Sequence, residues 1–192
     1  MLKKLSSKIA IWLIKSDMLK DDNIDLYSYA IQYLLLIIIP TINFTVYCIA
    51  THKIYIGLIE IFSFLLTRKF CGGYHCESSS VCLIFSTILL IFIAWISCFI
   101  KPGLYIILPT ILADLELILR GPVISINHSV SDIEKKYYHK RLIAIIISLN
   151  FLIILTSLLK LSHICNCICI VLLCCSVSHI VCKFGKNKEL YY

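Results

Sequence analysis

The run Ile54-Tyr55-Ile56-Gly57-Leu58-Ile59-Glu60-Ile61-Phe62-Ser63-Phe64-Leu65-Leu66-Thr67, closed by Arg68-Lys69, decides how this chain is laid out. It is apolar over residues 54–67 but carries Glu60 in its middle. It is also short for a bilayer, which needs about 20 residues of helix to cross. Either it crosses or it turns back as a re-entrant hairpin. Longer apolar runs surround it, near residues 26–50, 81–100, 103–119, 142–159 and 164–182.

The basic residues choose between the two. If residues 54–67 cross, one side collects Lys3, Lys4, Lys8, Lys15 and Lys20, then Arg68 and Lys69, then Arg120, Lys135, Lys136, Lys140 and Arg141, and last Lys183, Lys186 and Lys188. Of the 18 basic residues only Lys53, Lys101 and Lys160 then lie opposite. If the run turns back, every later loop changes side, the charge divides more evenly, and the N-terminus falls on the poorer side. Cytoplasmic loops carry the excess of Lys and Arg, so the sequence predicts an all-α integral membrane fold of six transmembrane helices. The protein is expected in the cell membrane as a multi-pass chain, with both termini and the loop 68–82 cytoplasmic.

Composition agrees. Apolar residues make up 60% of the 192 and charged ones 15%, against about 45–50% apolar for a soluble domain. Residues 1–192 read as a single membrane domain. The net charge of +7 is then a topological signal and an attraction to the anionic face of the lipid bilayer, with no nucleic-acid partner implied. At the start, Leu2, Leu5, Ile9, Trp12 and Leu13 recur at helical spacing among lysines, which predicts an amphipathic interfacial helix over residues 1–20 anchored by Trp12. Ile9–Ile14 is too short an apolar run for a secretory signal. Six of the 11 cysteines, Cys165, Cys167, Cys169, Cys174, Cys175 and Cys182, fall in or at the end of the last run and read as small hydrophobes facing neighbouring helices. Residues 120–141 form the long polar connection, opened by Gly121-Pro122, which ends the helix before it.

Chemistry concentrates in Arg68-Lys69-Phe70-Cys71-Gly72-Gly73-Tyr74-His75-Cys76-Glu77-Ser78-Ser79-Ser80-Val81-Cys82. Gly72-Gly73 breaks the helix before it, and Ser78, Ser79 and Ser80 offer N-caps for the next. Cys82 then lies in a first helical turn, where free N–H groups and the positive dipole end favour a thiolate. His75, in the loop, can fold back to take the thiol proton. Two other readings stand beside this one. Cys71, His75, Cys76 and Cys82 can supply four zinc ligands, although their spacing matches no ribbon or finger. Alternatively, His75 is an interfacial loop histidine and Cys82 a packing residue.

The spacing R-x4-G-x-H-x6-C, filled by Arg68, Gly73, His75 and Cys82, resembles the signature of the accessory gene regulator B family of quorum-sensing membrane peptidases. The similarity extends to the basic N-terminus, Gln32 early in the first span, the basic loop after Pro122 and the last two spans. The resemblance implies a cysteine endopeptidase that cuts a small membrane-associated propeptide and helps close it into a thiolactone or lactone autoinducer. Cys82 is then the nucleophile and His75 its base, with no metal or cofactor, and a homodimer is implied as well. Cys71 and Cys76 lie outside the family pattern. The rival class is a noncatalytic transporter or receptor component.

Each supporting residue has two readings. Gln32 lies at a depth from which it can approach the start of the third span, as an oxyanion donor or as an interhelical hydrogen bond. Arg68 can hold a substrate carboxylate, hold the loop, or anchor topology at a helix end. Asp114 is a candidate to orient His75, and Glu116 is expected to pair with Arg120 four residues on. Lys135, Lys136, Lys140 and Arg141 are candidates to receive an acidic substrate tail, or are positive-inside anchors. His128, His139, His163 and His179 read as loop or packing residues.

Overall fold

A computed structural model describes residues 2–16, 23–74, 76, 78–101, 103–123 and 131–184. His75, His128 and residues 17–20 of the expected interfacial helix lie outside the described residues. The described residues hold helices α1 (Leu2–Lys15), α2 (Ile24–Ala50), α3 (Ile54–Cys71), α4 (Ser79–Ser97), α5 (Leu104–Arg120), α6 (Asp132–Leu158) and α7 (Ser162–Phe184), and no strand. The fold is all-α, as expected.

Helices α2, α4, α6 and α7 are each long and apolar enough to cross a membrane. The expected count of six is not reached on that measure. Helix α3 has the length, at 18 residues, but carries Glu60, Arg68 and Lys69. Helix α5 has 17 residues and includes Asp114, Glu116 and Arg120. The charges on these two helices are what weaken them as spans.

Local chemistry sets the helix ends. The Asn23 side chain accepts from Leu26 N at 3.2 Å and starts α2. Helix α6 begins at Asp132, ten residues before its apolar run, because Ser131 and Glu134 form a reciprocal capping box. The polar connection expected over 120–141 is therefore helical from residue 132 onward. Helix α3 continues beyond its apolar run to Cys71, where Gly72 at φ +72° stops it.

Helix α7 is the hub, packing on α3, α4, α5 and α6. Cys165, Cys167, Cys169 and Cys175 are buried there beside Ile168, Val171 and Leu172. All the cysteines are free thiols, so they pack as small apolar residues. Helix α1 lies on α2 through its small face: Ser6 and Ser7 meet Ser28 at 3.2 and 3.0 Å, and Ala10 is buried. Of the expected bulky face, Leu2 is buried while Leu5 and Trp12 are exposed, Trp12 by 60%. The close approach of two helices favours the small side chains and leaves the large ones outward, where lipid would meet them.

Candidate functional site

Two glycines shape the loop between α3 and α4. A Cβ on Gly72 would run into the Val123 carbonyl oxygen, and one on Gly73, at φ +137°, would run into Arg68 Nη1. Only glycine allows both approaches. Through the space at Gly73, the Arg68 guanidinium donates to Ser178 Oγ on α7 at 2.5 Å and to the Tyr74 carbonyl. Tyr74 N in turn donates to Ser178, to its hydroxyl at 3.2 Å and its carbonyl at 3.3 Å. Arg68 therefore holds the loop, one of its expected alternatives. The rigid donor fork of arginine suits this bridging.

The loop ends at Ser78, the N-cap residue of α4, whose carbonyl accepts from Cys82 N at 3.0 Å. Cys82 is thus at the fourth helical position, with its side chain half-buried. Gln32 on α2 donates to Ser79 Oγ at 2.5 Å. Ser79 and Cys82 are three residues apart and share a helix face, so Gln32 holds the turn that presents the thiol. Gln32 therefore does approach the start of the third expected span.

Cys76, which the sequence offered only as a zinc ligand, lies within hydrogen-bonding reach of the Cys82 sulfur. Burial in the loop pushes the Cys76 thiol up, the neighbouring Cys82 sulfur adds to this, and Arg68 opposes it. Cys76 is therefore a neutral S–H that can donate to Cys82. No local spacing signals this contact, since the two residues meet only because the chain turns between them. Cys71 does not join them: it is buried against Cys175 of α7.

Other expected residues go elsewhere. Asp114 accepts from Asn150 Nδ2 of α6 at 2.8 Å, so this carboxylate has a helix-to-helix role among the described residues. Glu116 does lie near Arg120, with Oε1 to Nε at 3.7 Å. It also accepts from Ser176 at 2.9 Å and meets His179 Nδ1 at 2.9 Å. His179, read from sequence as a loop or packing residue, is fully buried, with Nε2 against the Gly121 carbonyl at 2.9 Å.

A cleft of about 540 Å³ opens beside this region, lined by Arg120, Gly121, Pro122, Asp132, Lys135, Lys136, His139 and Lys140. Three of the four basic residues proposed for an acidic tail line it. Arg141 does not, because it donates to Tyr137 Oη at 3.1 Å and stacks on that ring at 5.1 Å.

Comparison with known proteins gives one result at the level of the family. The family model described as accessory gene regulator B matches residues 6–179. No curated protein and no solved structure matches the chain.

Proposed function

The chain belongs to the accessory gene regulator B family, and from that premise we propose that it is a membrane cysteine endopeptidase that processes a quorum-sensing propeptide. The family match, spanning a chain that keeps Arg68, Gly73, His75 and Cys82 in register, carries this reading. It is supported by the way α3 and α7 hold Tyr74 and α2 holds Ser79, on the way from Gly73 to Cys82.

The chemistry uses Cys82 as nucleophile and His75 as base. Loss of the thiol proton to His75 gives a thiolate, which attacks the scissile carbonyl. The imidazolium returns that proton to the leaving amine, so a thioester to Cys82 forms as the peptide bond breaks. A cysteine or serine of the retained peptide then attacks the thioester, closing a thiolactone or lactone and freeing Cys82. A site that excludes water favours closure over hydrolysis. The Cys76 S–H lies beside the Cys82 sulfur, Gln32 fixes the first turn of α4, and Lys135, Lys136 and Lys140 receive an acidic part of the propeptide.

In this reading residues 1–192 form one membrane peptidase domain. Helices α3 and α5 complete six crossings as short spans paired against α7, where Glu60, Asp114 and Glu116 face protein instead of lipid. Both termini and the loop lie in the cytoplasm, and the protein acts as a homodimer.

Mass spectrometry of a co-expressed propeptide tests the reading. Cys82→Ala and His75→Ala are expected to abolish cleavage and ring formation. The double variant Cys71→Ala with Cys76→Ala keeps cleavage, slowed about severalfold by loss of one hydrogen bond. Cleavage that survives Cys82→Ala sinks Cys82 as the nucleophile and the proposal with it.

A further inference from the structure

Ser176, Ser178 and His179 lie within one turn of α7, and each points a polar group at a different segment. Ser178 holds Tyr74 and Arg68. His179 holds the Gly121 carbonyl through Nε2 and Glu116 through Nδ1, both at 2.9 Å. A carbonyl only accepts, so Nε2 carries a proton. The contact between Nδ1 and Glu116 Oε1 then needs a second proton, on one of the two atoms. Ser176 donates to the other carboxylate oxygen at 2.9 Å, and Arg120 is near Oε1. The pair is thus fully bonded in the protein interior, where an unpaired member would be costly.

This pair does not simply join α5 to α7. It fixes a non-helical strap. Gly121, at φ +68°, has no room for a Cβ, which would lie 2.7 Å from His139 Nδ1. Two residues on, Val123 N donates to the Cys71 carbonyl at 2.9 Å, and Val123 O closes over Gly72. Held at Gly121 by His179, the strap therefore sits against the residues from which the site loop departs. Through Ser178, the same turn of α7 holds Tyr74 at the other side of the glycine pair.

We infer that Glu116 and His179 are positioning residues for the peptidase site: through Gly121 and Val123 they set the exit of the loop that carries His75 and leads to Cys82. The inference rests on the peptidase reading above, and it adds two residues outside the signature.

Two isosteres test it. A glutamine amide nitrogen overlays histidine Nε2, so His179→Gln keeps the donor to Gly121 and gives up the bond to Glu116. An asparagine amide nitrogen overlays Nδ1, so His179→Asn does the reverse. If the strap is what counts, steady-state processing of the propeptide by purified, bilayer-reconstituted enzyme ranks wild type, then Gln, then Asn. The Asn variant loses on the order of 100-fold in kcat, as expected for misplacement of reacting groups, with KM unchanged. If the pair only ties α5 to α7, Asn equals or exceeds Gln, and the inference fails. It fails equally if both variants turn over like wild type or if the loss lies in KM. Should either His179 variant not fold by thermal melting, Val123→Pro, which removes the donor to the Cys71 carbonyl and leaves the Glu116–His179 pair intact, is read instead: a kcat loss supports the inference and wild-type kcat overturns it. Wild-type processing that persists in Cys82→Ala marks failure of the peptidase reading itself, and removes this inference with it.

Discussion

At one end of the bundle α2 turns into α3 and α6 into α7 through connections closed by their own backbone. Lys53 N reaches the Cys48 carbonyl at 2.8 Å and Leu161 N reaches Thr156 at 2.9 Å. His52 and Lys160 adopt φ +56° and φ +58° without glycine. At the other end, α3 passes to α4 and α5 leads toward α6 through Gly72, Gly73 and Gly121, all at positive φ, and side chains from α2, α3, α5 and α7 do the closing. The first kind of turn needs only to reverse the chain. The second holds a backbone in one place, and each glycine makes room for a side chain or carbonyl packed against it.

The largest break in this contrast is Gly73→Ala. A methyl there meets Arg68 Nη1 and lies 2.9 Å from Ser178 Oγ, at φ +137°. Arg68 would have to leave, releasing both its bonds. Propeptide processing is expected to fall on the order of 100-fold or more, while thermal melting in detergent still reports a folded bundle. Unchanged processing would mean that the loop needs no clamp.

A smaller effect separates the two readings of Gln32. Its bond to Ser79 is an interhelical contact, and such bonds average about 0.6 kcal/mol in membranes. Gln32→Ala and Ser79→Ala should therefore slow processing alike, each by about threefold. An oxyanion donor would behave differently: loss of Gln32 would cost on the order of 100-fold while Ser79→Ala would not. Rates for the two variants, measured side by side, sharpen the contrast between holding the loop and touching the substrate.

The same contrast explains what could be read from sequence. Six apolar runs locate α2 through α7 because burial against protein or lipid needs them, and Gly72 and Gly121 mark where α3 and α5 stop. The early start of α6 was also legible in Ser131 and Glu134, a capping signature masked by the polar run behind it. The span count is less legible, since Glu60 in α3 meets Cys167 of α7, and Asp114 and Glu116 in α5 meet Asn150 and His179, partners far away in sequence. The site divides in the same way. Arg68, Gly73 and Gln32 stand out by type and position, and the structure gives each a defined contact. His179 did not stand out, because its partners Glu116 and Gly121 are 63 and 58 residues away. Cys76 lies outside the family pattern, and its approach to Cys82 depends on the fold, not on local spacing.

The smallest expected effect lies in the self-closed turns. Lys160 sits at φ +58° between α6 and α7, a region where a side chain costs roughly 1–2 kcal/mol. Glycine removes that strain but adds unfolded-state entropy worth about 0.5–1 kcal/mol. The two effects nearly cancel, so Lys160→Gly should change stability by no more than about 1 kcal/mol in either direction. Processing should stay at the wild-type rate, because among the described residues no side chain of the loop end bonds to this turn. A loss of processing in Lys160→Gly, with melting unchanged, would show the two ends to be coupled through α7 and would erase the distinction between them.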